Sequence, residues 1–434
     1  MILVDHIRCA YCGNCVSVCP VGALDLAETR LLVDQSCMDC GLCISACPMG
    51  ALHAAPLQET RVGRPELPLR SRYDVIVVGA GPGGAIAARE AVRQGLSVLL
   101  LEKRQEIGSP VRCAEGIAHE QLISFIAPEP YWISATVTSA EFTVVSDDGR
   151  TEITRGEGGL GYVLERRIFD RVLAEQAVSA GAEVQVKTAA IALLMDHGCV
   201  RGVQIRNPFG KAEIESQVVI GADGIESRVG AWAGLNTTLP PKDTMSCAQF
   251  LLAGIDIDPT CTCYYVGMHV APGGYAWVFP KGEGRANVGL GVQADVAEGP
   301  ALEYLIRFIE SQPHLARGSP VTLITGGVPV APQLSSMVTD GLMLIGDAAR
   351  QVDPLTGGGI ANAMAAGQLA AEVAAECIAA DDVSAAALRA YEMRWQASRG
   401  HKLARRYRLK ERFAPSARTS RECMRVFIAA VGGK

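Results

Sequence analysis

The chain has 434 residues, enough for two or three domains, and is 49% hydrophobic and 20% charged, as in ordinary folded proteins. Its formal net charge of −6 gives no general attraction to nucleic acid or anionic lipid, so nucleic-acid binding is excluded as a function class. The first residues carry charges and cysteines instead of a signal peptide. This predicts a cytoplasmic protein with at most peripheral membrane contact.

Eight of the fifteen cysteines form two similar runs near the N-terminus, each reading C-x-x-C-x-x-C-x-x-x-C-P and each followed by x-G-A-L. This internal duplication is the signature of a bacterial-type ferredoxin with two [4Fe-4S] clusters. In that arrangement the fourth cysteine of each run binds the other cluster. The predicted ligands are Cys9, Cys12, Cys15 and Cys47 for one cluster and Cys37, Cys40, Cys43 and Cys19 for the other.

Zinc is the alternative metal, because C-x-x-C pairs also occur in zinc sites. Three cysteines at short intervals followed by a remote Cys-Pro pair fit zinc poorly.

Residues 1–55 are too few to bury much apolar core, so the clusters would act as the core of this domain. Residues 56–72 are rich in proline and arginine without an apolar period. They predict a short linker that keeps the clusters near the next domain.

The stretch that follows predicts a dinucleotide-binding unit. A β-branched run from Val75 to Val78 forms a buried strand, and a G-x-G-x-x-G pattern leads from it into a helix. The glycines permit a tight turn, close approach of a pyrophosphate and close packing of helix on strand. The next strand ends on a carboxylate suited to an adenosine ribose. The predicted residues are Gly79, Gly81, Gly84 and Glu102.

Two later strands distinguish FAD from NAD. One ends in G-A-D-G at Asp223 and the other in G-D-A-A at Asp347. Singly, the first could be a surface turn and the second a helix N-cap. In order after the glycine pattern, they resemble the FAD-dependent fold of the aromatic hydroxylases. The resemblance implies that Asp347 binds ribityl or pyrophosphate oxygens. The helix opening at Gly358, Gly359 and Ile360 would turn its free amides toward the flavin pyrimidine ring.

Three further segments resemble the geranylgeranyl reductase family within that superfamily, in particular its members that act on digeranylgeranylglycerophospholipids. They are P-V-R-C-A-E-G at 110–116, L-E-R-R-I-F-D at 164–170, and Y-A-W-V-F-P-K-G at 275–282 with A-N-V-G-L-G at 286–291. The similarity covers most of residues 73–380. It implies that Arg112, Cys113 and Arg166 contact FAD and that Cys113, Glu115, Tyr275 and Trp277 take part in catalysis.

The residues of these segments can also be interpreted from their chemistry alone, without the resemblance. The Cys113 thiol could donate a proton or shape the cavity, or it could be a buried structural cysteine. Tyr275, Trp277 and Phe279 alternate along a strand and therefore share one face. That face is either a wall for an apolar chain or ordinary sheet core. Lys281, at the strand end, would meet a phosphate or be solvated.

These elements predict an α/β FAD-binding Rossmann-like fold of the aromatic hydroxylase superfamily. An antiparallel β-sheet substrate domain is inserted, and a small α+β ferredoxin domain precedes it. The FAD-binding parts are predicted at 73–117, 155–235 and 325–380, the substrate domain at 118–154 and 236–324, and a helical basic tail at 381–434. The glycine-interrupted apolar stretch 355–371 predicts a buried helix rather than a membrane span.

The basic tail has two interpretations. Residues 399–425 carry ten lysines and arginines against two acids. Such a segment forms either a solvated helical face or a surface that contacts anionic lipid head groups.

The predicted function is FAD-dependent saturation of double bonds in geranylgeranyl chains of lipids or their precursors. Electrons would enter through two [4Fe-4S] clusters from an external low-potential donor. The alternative is a relay similar to electron-transfer flavoprotein–quinone oxidoreductases, which share the FAD fold and carry an iron–sulfur module, usually at the C-terminus. An aromatic monooxygenase shares the flavin motifs but has no use for clusters. The predicted partners are thus an isoprenoid lipid and an electron donor.

Overall fold

The structure is a computed structural model that describes residues 2–27, 30–54, 69–146 and 150–413. Most of the predicted linker 56–72, and residues 414–434 of the predicted tail, lie outside the described residues. Within the described ranges, no helix combines the length and the apolar composition that crossing a membrane requires.

The N-terminal module is built from short elements around cysteines. They are β1 (Ile2–Val4), α1 (Asn14–Ser17), β2 (Leu24–Ala27), β3 (Arg30–Val33), α2 (Leu42–Ala46) and β4 (Leu52–Ala54). Strand β1 pairs antiparallel with β4, and β2 with β3. Each helix follows a glycine in the left-handed region, Gly13 at φ 81° and Gly41 at φ 77°. The buried interior contains Cys9, Cys15 and Cys43 beside a few aliphatic side chains, as expected of so short a domain.

The rest of the chain forms the body. Its first elements are β5 (Arg72–Val78), α3 (Pro82–Arg93), β6 (Val98–Leu101), β7 (Gly116–Ala118), α4 (His119–Leu122), β8 (Ile133–Val145), β9 (Thr151–Leu164), α5 (Arg166–Ala180), β10 (Glu183–Gln185), β11 (Ala189–Asp196), β12 (Cys199–Asn207), β13 (Gly210–Gly221) and α6 (Arg228–Trp232). The next are β14 (Thr244–Ala253), β15 (Cys261–Val266), β16 (Tyr275–Pro280), β17 (Arg285–Gln293), α7 (Ala301–Ser311), α8 (Pro313–Ala316), β18 (Ser319–Pro329), β19 (Val338–Thr339) and β20 (Leu342–Leu344). The last are α9 (Ile360–Ala379), α10 (Ala385–Trp395), a π-helical turn (Gln396–Gly400) and α11 (His401–Phe413).

The nucleotide-binding sheet has eight strands. Six follow the order β10-β6-β5-β13-β12-β11, while β20 pairs with β13 and β19 with β20. Strands β10, β6, β5, β13 and β20 run parallel. Parallel sheets are covered on both faces, and Val75, Ile76 and Val77 of β5 are accordingly all fully buried. The predicted Rossmann-like FAD-binding fold is confirmed.

The second sheet also has eight strands, in the order β18-β14-β17-β16-β15-β8-β9-β7. All neighbours are antiparallel except β15 and β8. Helix α7 packs on one face, and aromatic side chains of β15 and β16 cover the other. The predicted inserted sheet is thus present. Strand β9 is 14 residues long and is followed almost at once by α5.

Helices α3 and α9 cross in close contact beside the nucleotide-binding sheet. A Cβ on Gly367 would overlap the carbonyl oxygen of Gly83, so this crossing requires glycine. The predicted buried helix exists, but it begins at Ile360 instead of residue 355. Before it the chain turns, with Gly357 at φ 69° and its N–H donated to the Asp353 carbonyl at 2.8 Å. A loop therefore precedes the helix at the edge of the cavity described below.

Candidate active site and cluster-binding module

One large cavity of about 2570 Å³ lies where the two sheets of the body meet. Small-molecule pockets usually measure about 300–1,000 Å³, so this one has room for a dinucleotide together with a long apolar chain. Its wall is formed by the N-terminal turn of α3, the loop after β6, the facing strands of the second sheet, the N-terminus of α9 and one face of α11.

The glycine turn between β5 and α3 forms one end of the cavity. A Cβ on Gly79 would overlap the Ala222 carbonyl oxygen, and one on Gly84 would overlap the Gly79 carbonyl oxygen. A Cβ on Gly81 would meet no described atom within 4 Å, which leaves open space before the first amides of α3. These amides have no side-chain cap, and an anion such as a pyrophosphate would satisfy them.

Two carboxylates flank this turn in the way that FAD requires. Glu102 is held at the end of β6 by the N–H groups of Ala80 and Arg104, at 3.2 and 2.9 Å. Asp347 lines the cavity, and its carboxylate accepts no hydrogen bond from the described residues, so the carboxylate oxygens are available to ligand hydroxyls. Burial raises the pKa of Asp347, and the positive charge of Arg166 opposes this. The residues present therefore fit FAD.

Most of the predicted cofactor residues come together at the cavity. Those lining it are Gly81, Gly84, Arg112, Cys113, Arg166, Asp347, Gly358, Gly359 and Ile360. Gly79, Glu102 and Asp223 lie outside its lining. The Oδ2 atom of Asp223 accepts a hydrogen bond from the Val229 N–H at 3.0 Å, and its Oδ1 is buried without a partner among the described residues. Asp223 thus anchors α6, and its contact with FAD stays a prediction.

Cys113 lies on the cavity wall in the loop between β6 and β7, close to Arg166. Burial raises the pKa of the Cys113 thiol, and the charge of Arg166 only partly offsets this, so the thiol is protonated at neutral pH. Arg166 donates two hydrogen bonds to Asp170, at 3.0 and 2.7 Å. Although burial disfavours its charge, Asp170 and Cys113 raise the pKa of Arg166. A permanent cation therefore stands beside the thiol.

Glu115 is the centre of a buried polar cluster that joins three sequence motifs. It is 3% exposed and adopts a left-handed φ of 75°. Its Oε2 accepts hydrogen bonds from Lys281 Nζ at 2.8 Å and Asn287 Nδ2 at 2.7 Å, and its Oε1 accepts one from the Arg166 N–H at 2.8 Å. Lys281 also pairs with Glu165 at 3.2 Å. The sequence analysis predicted that Lys281 contacts a phosphate or is solvated. Both predictions are wrong, because Lys281 is only 5% exposed and its ammonium holds Glu115.

The predicted aromatic residues form one wall of the cavity. Tyr275, Trp277 and Phe279 of β16 line it together with Tyr264 of β15. The ring centroids of Tyr275 and Trp277 are 5.8 Å apart, and those of Tyr264 and Phe279 are 5.4 Å apart. The Tyr275 hydroxyl donates to the Thr356 carbonyl at 2.5 Å, which ties the wall to the loop before α9. These rings face the cavity and can contact an apolar chain.

Gln249 of β14 connects this wall to the thiol loop and was missed in the sequence. The Trp277 indole Nε1–H donates to Gln249 Oε1 at 2.8 Å, and Gln249 Nε2–H donates to the Cys113 carbonyl at 3.1 Å. Gln249 is 3% exposed. The only available signal was a glutamine followed by apolar residues in a strand, and a single residue of that kind is too common to identify a bridge.

We expect Gln249→Leu to lower the free energy of unfolding by about 1–3 kcal/mol, because it leaves the Trp277 N–H and the Cys113 carbonyl buried without partners. The shift in the denaturant midpoint measures this loss. The matched control is Gln204→Leu on β12, since the Gln204 side chain forms no hydrogen bond within the described residues. Equal shifts for the two variants would contradict the bridging role.

The cysteines predicted to hold the first cluster come together in the N-terminal module. Cys9, Cys12, Cys15 and Cys47 line one small cavity, so the last cysteine of the second run joins the first three of the first run. The N–H of Ala51 donates to Cys47 Sγ at 3.2 Å. Four thiols around one cavity, with an amide aimed at a sulfur, are the donor set of an iron–sulfur cluster. These four residues therefore fit this cofactor.

The first cysteine run lies against the body. Lys187, in the turn between β10 and β11, donates from Nζ to the Cys9 carbonyl at 2.6 Å, and its ammonium lies 5.9 Å from the Tyr11 ring centroid. Thr188, next in the chain, donates its N–H to the carbonyl of Glu102 at 2.9 Å. The module thus contacts the nucleotide-binding sheet at the end of β6.

Three family models match the chain. A 4Fe-4S dicluster domain matches residues 1–48, an FAD binding domain matches residues 72–267, and a geranylgeranyl reductase catalytic domain matches residues 243–328. The three regions correspond to the cysteine module, to the glycine turn with the thiol loop, and to the strands of the aromatic wall.

Curated relatives and solved structures agree with these matches. The digeranylgeranylglycerophospholipid reductase of Methanosphaerula palustris is 49% identical over 351 residues, covering 80% of this chain and 87% of that protein. The one of Methanothrix thermoacetophila is 50% identical over 345 residues, covering 79% and 88%. A geranylgeranyl bacteriochlorophyll reductase-like protein of Thermoplasma acidophilum shares 39% identity and a TM-score of 0.76 over 84% of this chain and 97% of that one. A flavin-dependent brominase, 18% identical with a TM-score of 0.62 over 83% and 94%, shares the fold.

Proposed function

Because the chain belongs to the geranylgeranyl reductase family of FAD-dependent oxidoreductases, we propose that it saturates double bonds in geranylgeranyl chains of lipids or their precursors. The observation that carries the proposal is one cavity lined by the glycine turn, the Cys113 thiol and the aromatic wall. The same proposal divides the chain into an electron module of residues 1–55 and a reductase of residues 73–434.

FAD, when bound, supplies a hydride to one carbon of the double bond. The amides of Gly81, just before α3, and of Gly84, in its first turn, would hold its pyrophosphate, and Glu102 would hold its adenosine ribose. The Asp347 carboxylate would accept hydrogen bonds from its hydroxyl groups. The N-terminus of α9 at Gly359 would stabilise negative charge on the ring system.

The protein's own side chains complete the reaction. Tyr275 and Trp277 would orient the isoprenoid chain and exclude water from it. The second alkene carbon needs a proton, which we assign to Cys113 Sγ, because its raised pKa keeps it in the thiol form. Glu115 forms hydrogen bonds with Lys281 and Asn287. These bonds would hold the loop that carries Cys113 in position.

We further propose that two [4Fe-4S] clusters, which supply electrons one at a time, are held by the cysteines of residues 9–47 and reduced by an external low-potential donor. The hydrogen bond from Lys187 to the Cys9 carbonyl supports this route, since it keeps the first cysteine run against the nucleotide-binding sheet. A lipid substrate also implies peripheral contact with a membrane.

The decisive experiment offers the anaerobically reduced holoprotein a digeranylgeranylglycerol phosphate lipid and, separately, a quinone. We expect the lipid to gain two hydrogens per saturated bond, as measured by mass spectrometry. An unchanged lipid mass together with rapid oxidation of the protein by the quinone would contradict the proposal and favour the electron relay.

The proposal that each cluster takes ligands from both cysteine runs gives a separate prediction. If Cys9 and Cys47 hold one cluster, Cys9→Ser/Cys47→Ser loses no more iron than either single variant. Cys9→Ser/Cys19→Ser is expected to lose both clusters, because Cys19 belongs to the other one. Iron and acid-labile sulfide per chain measure the losses, with FAD content unchanged. Cys199→Ser, in the body, is the control. If Cys9→Ser/Cys47→Ser lost as much iron as its two single variants together, this result would contradict the assignment.

A further inference from the structure

The π-helical turn and α11 together present a basic side to the cavity, whereas the wall formed by β15 and β16 is aromatic. Four cations recur at helical spacing on this side and line the cavity, with Leu403 between them. They are Arg399, Lys402, Arg406 and Lys410. A cavity that accepted hydrocarbon alone would desolvate any of these charges that has no acidic partner, so an unpaired cation among them points to an anionic group.

Two of the four cations already have acidic partners. Arg406 is paired with Asp353, and Lys410 lies 3.4 Å from an oxygen of Asp243. Lys410 also donates to the Val330 carbonyl at 2.9 Å. These pairs fix α11 against the loop before α9 and against the end of β18, and so define one side of the cavity.

The other two cations lack an acidic partner. No carboxylate of the described residues pairs with Arg399 or Lys402, and the Arg399 guanidinium donates only to the neutral Asn362 side chain, at 3.0 Å. Burial lowers the pKa of Arg399. Arg399 lies in the π-helical turn, a rare conformation that is frequent at functional sites. Two neighbouring cations thus face the cavity with unmatched charge.

We propose that Arg399 and Lys402 form a subsite for the phosphate group of an isoprenoid lipid, which deepens the proposed function and rests on it. The loop before α9 connects α11 to the aromatic wall. Arg406 contacts Asp353 of the loop before α9, and Thr356 of the same loop accepts the Tyr275 hydroxyl. A lipid with its phosphate at α11 can therefore extend its chain along the rings. A glycerol phosphate and a prenyl diphosphate both offer this chemistry.

The test compares a digeranylgeranylglycerol phosphate with the same diether lacking phosphate. Lys402 is exposed, so Lys402→Gln is expected to fold, and a thermal melt checks this. We expect Lys402→Gln and Arg399→Gln to lower kcat/KM for the phosphorylated lipid on the order of tenfold, mainly through KM, and to leave the neutral lipid unaffected. Affinity for the phosphorylated lipid, followed by tryptophan fluorescence, should fall by a similar factor. Geranylgeranyl diphosphate and inorganic phosphate are also tested as competitors of the phosphorylated lipid. Their relative potency distinguishes a prenyl diphosphate or free phosphate from a glycerol phosphate as the group that binds.

The matched control is Arg405→Gln, an exposed cation of α11 that does not line the cavity. Equal losses in this control would indicate general surface attraction and overturn the subsite. Equal losses on both lipids, or reduced FAD content, would overturn it as well. If the wild-type protein reduces neither lipid, the proposed function fails, while the fluorescence measurement on the same variants still decides whether the phosphate subsite exists.

Discussion

Replacing Lys281 with Met is expected to lower the free energy of unfolding by about 3–5 kcal/mol, because it leaves Glu115 as a buried charge without its cation. Met nearly preserves the side-chain volume, so the loss reports polar contacts and not packing, including the hydrogen bond from Lys281 Nζ to the Leu164 carbonyl at 2.5 Å. The carboxylate would keep its bonds to Asn287 and to the Arg166 N–H but lose the ammonium at 2.8 Å. The midpoint of denaturant unfolding of the FAD-loaded protein, at unchanged slope, measures the effect.

The surface pair of Lys103 and Glu226 provides the control. Its side chains are 48% and 38% exposed, so solvent screens their charges. Lys103→Met is therefore expected to cost no more than about 1 kcal/mol. Adding Glu115→Gln to Lys281→Met removes the unpaired charge and should recover part of the loss. Equal costs for the two lysine variants, or no recovery in the double variant, would show that Glu115 is not held by charge.

The sequence predicted those parts of the site whose determinants are contiguous in the chain. The turn from β5 to α3 needs three glycines within six residues, and two of them lie where a Cβ would overlap a backbone carbonyl. The cysteine runs are equally local, and their duplication is visible as a repeat. The alternation of Tyr275, Trp277 and Phe279 fixes a common face for any strand, and this face proved to line the cavity.

The remaining parts of the site depend on contacts between distant segments. Glu115 comes from the loop before β7, whereas Lys281 directly follows β16 and Asn287 lies in β17. Strand β7 lies four strands from β16 in the second sheet, so only the tertiary fold brings the three residues together. A lysine at a strand end usually reaches solvent, which is why its burial could not be foreseen. The basic spacing of α11 was visible in the sequence, but the surface that it faces was not.

Replacing Cys113 with Ser is expected to slow reduction of the lipid by roughly 10²- to 10⁴-fold, the usual contribution of a positioned acid. Serine keeps the size and the hydrogen bonding of the side chain, but its hydroxyl is a far weaker acid than a thiol. The stopped-flow rate of lipid reduction under anaerobic conditions, at equal FAD content, measures the effect. Cys247→Ser is the control, because Cys247 lines the same cavity and burial raises its pKa to about 12.

The pH profile separates proton donation from packing. Because burial raises the pKa of Cys113, the thiol stays protonated through neutral pH, and the rate should fall only at a pH above the range of an ordinary thiol. Above that pH the group has lost the proton that it donates. Cys113→Ser should lack this alkaline limb, whereas Cys247→Ser should keep it. A slow Cys113→Ser variant that retained the limb would assign the proton to another group and leave Cys113 a purely structural role.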